Sequence, residues 1–370
     1  MNKRTAFNLF KYLLALGLLV YVVHANWSPE NGNGLGYVWQ RHVNEGQPIH
    51  TLFLILASVL YLASLLITLL RWYVLVRAQG VPLTIAGAMR LGMIGFFFNT
   101  FLPGSVGGDI VKAAGLARER SGRTLAAATV LVDRAIALWA LIWLVTLLGG
   151  VFWTAGMLER DAEQAAKVIV SASAVLAGLS VAVWLLLGLL PADRAKRFAL
   201  RLELRGRIGA AAARFCRALW MYRCRQGSVV LAVVLSLIAN GVFVASFHCA
   251  ARVLWDAEPG NPVPSLTQHF LIVPIGMVIL MVPLFPGGAG IGELGFGGLY
   301  SWFQCSAANG VLASLVVRVI GWVIGVLGLI VYSLPRASPT PDTELVTAVS
   351  INPVPAAEGI PNALDSEQDA

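Results

Sequence analysis

The sequence has few charged residues for its length. Of 370 residues only 12% are Asp, Glu, Lys or Arg, whereas 58% are hydrophobic, and the mean hydropathy is +0.75. A soluble domain carries about 25% charged residues, so this composition would expose large apolar patches in water. A soluble enzyme is therefore excluded, as is a disordered chain, which needs low hydrophobicity and high net charge. The composition predicts an integral membrane protein.

Motifs that hold metals, nucleotides or disulfides are also scarce. The four cysteines include no Cys-x-x-Cys pair, and the five histidines lack the spacing of metal ligands. No Gly-Lys-Ser/Thr follows the glycine-rich segments, so they are not nucleotide-binding loops. The sequence therefore predicts no cofactor and no metal site. It leaves no space for a soluble reader domain, and we expect no nucleic-acid partner.

Long apolar stretches dominate the sequence instead. A helix that crosses a hydrocarbon core of about 30 Å needs roughly 20 apolar residues. Two apolar stretches, 83–102 and 267–285, run into Pro/Gly clusters, which end helices. We therefore expect an all-α polytopic bundle with six full spans and two broken or re-entrant helices. The six full stretches are 7–24, 51–70, 124–148, 168–190, 228–250 and 310–333.

The basic residues are distributed unevenly among the connections. Of 27 Lys and Arg, 19 lie on one set of alternating connections, Arg71 and Lys112 among them, and the 191–227 loop has ten basic and two acidic residues. The positive-inside rule predicts that this loop and both termini are cytoplasmic, in the plasma (inner) membrane. Six crossings with two hairpins satisfy that parity, and so do eight crossings. The loop either anchors the topology on anionic lipid headgroups or docks a partner.

Two regions are expected on composition. Residues 1–336 form the membrane domain, which contains nearly all of the apolar sequence. The tail, 337–370, has six acidic residues, no basic residue and little to bury, so we expect it to be disordered.

An internal repeat relates the two Pro/Gly clusters. The shift along the chain that superimposes Asp109 on Glu293 also carries the Leu-Val-x-Arg-x-Ile motif at 131–136 onto the one at 315–320. We call it the repeat shift. Three full spans separate the clusters, and this odd number inverts the second repeat relative to the first. Inverted repeats with broken helices are typical of transporters. The repeats are placed at about 51–148 and 228–333.

Each repeat also has an arginine inside an apolar span. Arg134 and Arg318 follow the acid of their own repeat at the same separation in sequence, and an arginine at a helix centre costs about 2.5–3.5 kcal/mol on insertion scales. Each guanidinium therefore needs a partner. Asp109, Glu293 or the adjacent Asp133 is available, within a repeat or across the two. The pairs are either structural locks between helices or part of a cavity in which a guanidinium binds phosphate.

The predicted substrate site adds the glycines and one amide near these charges. Glycine lets the backbone approach a headgroup closely, and the N-terminus of a broken helix presents N–H donors to an anion. The candidate site residues are Asn99, Gly104, Gly107, Gly108, Asp109, Arg134, Gly288, Gly290, Gly292, Glu293 and Arg318.

Two glycine-rich motifs carry a resemblance to a known family. They are F-x-N-x-x-L-P-G-S-x-G-G-D-x-x-K at 97–112 and P-G-G-x-G-x-x-E at 286–293, with V-D-R at 132–134 between them. Over residues 7–335 the chain resembles the lysylphosphatidylglycerol synthase transmembrane-region family, also described as flippase-like. In bifunctional members a soluble aminoacyl-transferase domain follows, whereas here a short acidic tail does. The resemblance implies a stand-alone flippase-like membrane domain with a phospholipid or lipid-linked substrate.

Three functions are compatible with these features. The first, which the sequence favours, is a transporter that moves a phospholipid or a lipid-linked polar headgroup between leaflets. The second is a membrane-embedded lipid-modifying enzyme, for which Asp109, Asp133 and Glu293 would supply carboxylates, although no nucleophile, metal or nucleotide-binding set accompanies them. The third is an accessory scaffold on which the basic loop docks a glycosyltransferase or synthase. The oligomeric state is left open.

Overall fold

The described part of the chain is built from helices and their connections. In this computed structural model the chain divides into two compact units, Met1–Tyr332 and Ser333–Ala370, and only the first residue of the second unit is described. No strand occurs among the described residues, which confirms the predicted all-α class. The described residues are 3–27, 34–101, 107–117, 123–156, 160–189, 200–202, 206, 209–210, 213, 225–255, 262–280 and 288–333.

The helices follow the apolar stretches and end near the Pro/Gly clusters. The predicted tail and most of the 191–227 loop lie outside the described residues. The helices are α1 (Lys3–Ala25), α2 (Leu35–Trp39, continued by a π-helix at Gln40–Asn44), α3 (Thr51–Ala78), α4 (Ile85–Phe101), α5 (Gly107–Leu116), α6 (Arg123–Thr154), α7 (Arg160–Leu189), α8 (Gln226–Ala250), α9 (Leu266–Leu280), α10 (Ile291–Ser301) and α11 (Ala307–Ser333).

Five helices in the described part are long and apolar enough to cross a membrane. They are α3, α6, α7, α8 and α11, which correspond to five of the six predicted full spans. The sixth predicted stretch lies in α1, which has 23 residues. Many apolar side chains on these helices point outward, such as Leu185 and Val323, each 60% exposed. In water such surfaces would associate, so the helices indicate a multi-pass membrane protein, as predicted.

Helices α4 and α5 form an antiparallel hairpin. Gly108 near the start of α5 packs on Gly95, and Gly115 near its end packs on Leu91, farther back along α4. The end of α5 then joins the end of α3 and the start of α6 in one buried cluster. Because α5 has ten residues and is about 15 Å long, it is too short to cross the membrane. The chain therefore returns to the side from which it entered.

Helices α9 and α10 form a second hairpin of the same kind. Gly295 packs on Ile279, and farther along α10 the hydroxyl of Tyr300 lies 2.8 Å from Nε2 of His269. Tyr300 belongs to a buried cluster that also contains the end of α8 and Phe152, near the end of α6. This hairpin therefore returns to the side on which α8 ends.

The two hairpins enter from opposite ends of α6. This helix has 32 residues and a length of about 48 Å. The base of the first hairpin packs around Ala126, near the start of α6, whereas the base of the second packs around Phe152, near its end. The two hairpins therefore pack at opposite ends of α6, which is the arrangement that an inverted repeat requires.

Helices α3 and α8, which begin the two repeats, pack antiparallel through reciprocal contacts. Ser64 Oγ donates to the carbonyl oxygen of Ala239 at 2.8 Å, and Ser246 Oγ donates to the carbonyl oxygen of Ala57 at 2.7 Å. A shift of 182 residues (239 − 57), two fewer than the repeat shift (293 − 109), carries Ala57 onto Ala239 and Ser64 onto Ser246. The two hydrogen bonds therefore join equivalent pairs of residues in opposite order. Contacts in which residue i meets j and the equivalent of j meets the equivalent of i are the mark of a two-fold axis.

The aromatic pair between these hydrogen bonds lies close to that axis. Tyr61 and Phe243 are related by the same shift as the two serines, and their ring centroids are 5.5 Å from each other. The sequence signal is Ala-x-x-x-Tyr/Phe-x-Ala-Ser at 57–64 and 239–246, which the comparison of the Pro/Gly clusters missed. The pattern extends the repeat from the hairpins to the helices that precede them.

The reciprocal hydrogen bonds lead to a paired prediction. Ser64→Ala and Ser246→Ala should each lower the free energy of unfolding by a similar small amount, about 0.6 kcal/mol, the average for hydrogen bonds between membrane helices. Both hydroxyls are buried, and each bonds the same kind of acceptor. Thermal unfolding of both variants in one detergent measures the effects. A loss several times larger for one serine than for the other would contradict the equivalence.

Candidate functional site

The arginine of the first repeat is held by the acid of the same repeat. Nε of Arg134 donates to Oδ2 of Asp109 at 2.9 Å, and Nη2 donates to Oδ1 at 3.1 Å. This is the bidentate geometry of strong guanidinium–carboxylate pairs. The Arg134 side chain is nevertheless 42% exposed, while that of Asp109 is 14% exposed. Part of the Arg134 side chain therefore lies at the accessible surface of the bundle.

The start of α5 is fixed beside this pair. The side-chain oxygen of Asn99 accepts a hydrogen bond from the backbone N–H of Gly108 at 2.8 Å. A Cβ at Gly108 would overlap the carbonyl oxygen of Gly95, so only glycine permits this approach of the two helices. Gly107 is the first residue of α5, and Gly104 lies outside the described residues.

The arginine of the second repeat has the equivalent partner in a closed environment. Nε of Arg318 donates to Oε1 of Glu293 at 2.6 Å, and Nη2 donates to the carbonyl oxygen of Gly288 at 3.2 Å. Oε2 of Glu293 accepts from the backbone N–H of Gly290 at 2.7 Å. The side chains of Arg318 and Glu293 are only 10% and 0% exposed. The pair therefore ties α11 to the turn that precedes α10.

Glycines are required in that turn for two reasons. Gly288 and Gly290 have φ of 67° and 83°, in the left-handed region that other residues rarely adopt. Gly292 lies where a Cβ would come within 2.7 Å of the Leu280 side chain. These glycines determine the shape of the turn, whose backbone hydrogen-bonds to Glu293 and Arg318. All three glycines are buried.

The two sites share chemistry and differ in access. Each ion pair joins an acid and an arginine at the same sequence separation within one repeat, which selects one of the two pairings that the sequence allowed. The repeat shift also places the first residue of α5 on Ile291, where α10 begins, and the first residue of α6 on Ala307, where α11 begins. One pair is open and its equivalent is closed in the same structure.

A third buried ion pair, which the sequence analysis missed, lies beside the first site. Nε of Arg71 donates to Oδ1 of Asp133 at 2.9 Å, and Nη1 of Arg71 donates to Oγ of Ser236 at 3.0 Å. The assignment of Arg71 to a connection was wrong, and Asp133 forms its hydrogen-bonded pair with Arg71 rather than with Arg134. Adjacent helical residues point about 100° apart, so Asp133 and Arg134 needed partners on different helices. The direction of Asp133 therefore indicates a basic partner on a helix other than α5, and that partner is Arg71 on α3.

Lys112 was predicted in a connection, but it lies in α5. Its side chain is buried in the hairpin, with the residue 8% exposed and Nζ 5.5 Å from the centre of the Trp72 ring. It lies within electrostatic range of the two ion pairs Arg134–Asp109 and Arg71–Asp133. In the part of the chain that the structure describes, three basic and two acidic side chains thus form one cluster in the first repeat. We call it the first-repeat cluster.

The comparison with protein families identifies the architecture. A family model described as lysylphosphatidylglycerol synthase TM region matches residues 10–328. The chain belongs to this family. Members of the lysylphosphatidylglycerol synthase transmembrane-region family are membrane proteins of lipid metabolism or transport. No curated protein and no solved structure matches the chain.

The chemistry available to this family member lies in charge and hydrogen bonding. Among the described residues no group of three His, Cys, Asp or Glu side chains could hold a metal ion. The first-repeat cluster offers guanidinium and ammonium donors in an apolar bundle, where electrostatic interactions are stronger than in water. Such a cluster can bind an anion through its guanidinium and ammonium groups. The carboxylates of Asp109 and Asp133 compete with the anion for the same donors.

Proposed function

We propose that this protein moves a phospholipid or a lipid-linked polar molecule between the two leaflets, and that Arg134 binds the anionic headgroup. The observation that carries the proposal is the 42% exposure of the Arg134 side chain, inside the span Thr129–Thr154. A guanidinium that faced hydrocarbon there would be costly, so a water-filled cavity or a polar ligand fits this position. The guanidinium fork matches the oxygens of a phosphate.

The two hairpins provide a route for alternating access. Transporters with inverted repeats expose a central site to one side and then to the other by moving one repeat against its counterpart. The Arg134–Asp109 pair is more exposed than the Arg318–Glu293 pair. One state of such a cycle would show this difference between the two repeats. In the exchanged state Arg318 would open, and the neighbouring Gly288, Gly290 and Gly292 would let the headgroup approach the backbone.

The membrane placement is part of the same proposal. The excess of Lys and Arg in one set of connections supports cytoplasmic termini and insertion in the plasma membrane by the positive-inside rule. The basic 191–227 loop would then lie on the anionic headgroups of the cytoplasmic leaflet. Anionic lipid would then be concentrated at the cytoplasmic surface of the protein.

The transport proposal is tested in liposomes. Purified protein is reconstituted with a fluorescent phosphatidylglycerol, and a reducing agent that cannot cross the bilayer reports how fast the label changes leaflet. Arg134→Ala should slow the protein-dependent exchange by at least about tenfold, because a charge-assisted hydrogen bond contributes about 1.5–3 kcal/mol. Exchange at the wild-type rate in Arg134→Ala would contradict the headgroup site.

The matched control removes a cation from another helix. Lys167 lies near the start of α7 with Nζ 5.6 Å from the centre of the Trp153 ring, and it is not part of the first-repeat cluster. Lys167→Met should leave the exchange rate within about twofold of wild type. Mass spectra of the recovered lipids are taken in parallel. A lipid of changed mass that requires Arg134 would favour a lipid-modifying enzyme over a transporter.

A further inference from the structure

We propose that Lys112 is a phosphate ligand that completes the headgroup site and selects a singly charged phosphate group. This inference rests on the proposed function and assigns a substrate class to the same site. Lys112 is 8% exposed, and its Nζ lies 5.5 Å from the centre of the Trp72 ring. Among the described residues the carboxylates of Asp109 and Asp133 attract the ammonium electrostatically, and both of them are already hydrogen-bonded to arginines. An ammonium has three N–H donors, so Lys112 can donate to an anion that enters the cluster.

The second hairpin has an apolar residue at the position of Lys112. The repeat shift places Lys112 on Phe296 and Asp133 on Val317. Phe296 is buried in the apolar cluster at the base of its hairpin, with its ring 4.4 Å from that of Phe247. The same hairpin geometry is thus built with an aromatic ring at this position. Lys112 is therefore not required by the fold of the hairpin.

The charges of the first-repeat cluster define the ligand. The described groups there are the three cations Arg71, Lys112 and Arg134 and the two carboxylates Asp109 and Asp133, a net charge of +1 (3 − 2). An unbalanced charge inside a bundle is costly, and one negative charge neutralises it. A phosphodiester carries one negative charge and offers acceptor oxygens to both Lys112 and Arg134. The chemistry fits a phospholipid headgroup, and free monoanionic phosphate shares it.

Binding is measured by native mass spectrometry of the full chain released from detergent micelles. The probes are phosphatidylglycerol and a diacylglycerol with the same acyl chains and no phosphate. Lys112→Met should weaken phosphatidylglycerol binding by about tenfold or more, whereas Lys112→Arg should stay within a few-fold of wild type. Diacylglycerol binding should be equal in all three proteins. Equal phosphatidylglycerol binding by Lys112→Met and wild type would overturn the assignment.

An inorganic phosphate titration identifies the source of the ligand. If millimolar phosphate displaces phosphatidylglycerol from wild type and not from Lys112→Met, the site recognises the phosphate group itself and free phosphate is a ligand. If phosphate leaves the lipid in place, the site requires the esterified headgroup. Displacement of the lipid from Lys112→Met as readily as from wild type would contradict the assignment of Lys112 as the phosphate ligand.

Stability separates a ligand from a structural residue. In lipid-free detergent Lys112→Met should unfold at the same temperature as wild type or higher, because it removes the excess positive charge from the first-repeat cluster. Added phosphatidylglycerol should raise the unfolding temperature of wild type more than that of the variant. A lower unfolding temperature of the variant without lipid, and an equal response to lipid, would show a structural role. Lys112-dependent binding without leaflet exchange would refute the transport proposal and leave this site intact.

Discussion

Replacing Arg318 by Met lowers the free energy of unfolding by about 3–5 kcal/mol, the cost of breaking a buried ion pair from one side. The variant leaves the Glu293 carboxylate, which is 0% exposed, without its guanidinium partner 2.6 Å away. It also removes the donor to the Gly288 carbonyl oxygen, so the turn before α10 loses its tie to α11. Thermal or SDS unfolding in detergent, with helicity as the readout, measures the loss.

A double variant is the control for this prediction. In Arg318→Met combined with Glu293→Gln no charge is left buried, and the Gln side chain can still accept from the Gly290 N–H. Most of the stability should return, since removing both charges of a buried pair is close to neutral. Arg134→Met should cost less than Arg318→Met, because the Arg134 side chain is 42% exposed and that of Arg318 only 10%. A double variant as unstable as Arg318→Met would show that packing, rather than charge, governs the site.

Replacing Gly108 by Ala disrupts the first hairpin and should cost at least about 3 kcal/mol, the upper end of the usual range for an overpacked core. The added methyl group would overlap the carbonyl oxygen of Gly95. Because the neighbour is backbone, no side-chain rotation relieves the contact, and α4 and α5 must separate. The separation also breaks the hydrogen bond from the Gly108 N–H to Asn99, and it moves Asp109 away from Arg134. Unfolding temperature and leaflet exchange should both fall.

Gly298→Ala is the matched substitution in the second hairpin. Gly298 lies in α10, the counterpart of α5, and a Cβ there would meet nothing within 4 Å. Alanine is favoured over glycine inside a helix by about 0.5–1 kcal/mol, so this variant should be as stable as wild type or slightly more stable. If both variants lose stability equally, the loss at Gly108 is a property of glycine replacement in these helices and not of the close approach to Gly95.

The sequence was sufficient to predict the spans and the hairpin charges. Apolar length determines whether a helix can cross a bilayer, and five predicted full spans therefore coincide with long apolar helices. The acid and the arginine of each repeat share one offset because both belong to the same structural unit. The structure then shows the pairing within each repeat, at 2.9 Å for Asp109 and Arg134 and 2.6 Å for Glu293 and Arg318.

The positions of Arg71 and Lys112 could not be predicted from charge counts along the chain. Arg71 directly follows an apolar stretch and Lys112 lies between two of them, where a basic side chain usually reaches the membrane surface. Their burial depends on which helices pack against them, since Arg71 binds groups from α6 and α8. Such contacts join residues 62 and 165 positions apart, and hydropathy along one stretch carries no information about them. The Pro/Gly clusters likewise predicted where the helices end, but not which residues pack against the turns.

The unpaired helix α7 determines which way the second repeat faces. If each repeat contributes one crossing, one hairpin that returns and one further crossing, two copies joined directly would both insert in the same direction. Helix α7 has no counterpart in the repeat, and it supplies the odd crossing between α6 and α8. The self-matching contact of α3 with α8, with its reciprocal serine hydrogen bonds, is the contact that two separate half-length chains would make in an antiparallel dimer. A single fusion helix is enough to convert such a dimer, whose halves insert in both directions, into one chain with a fixed orientation.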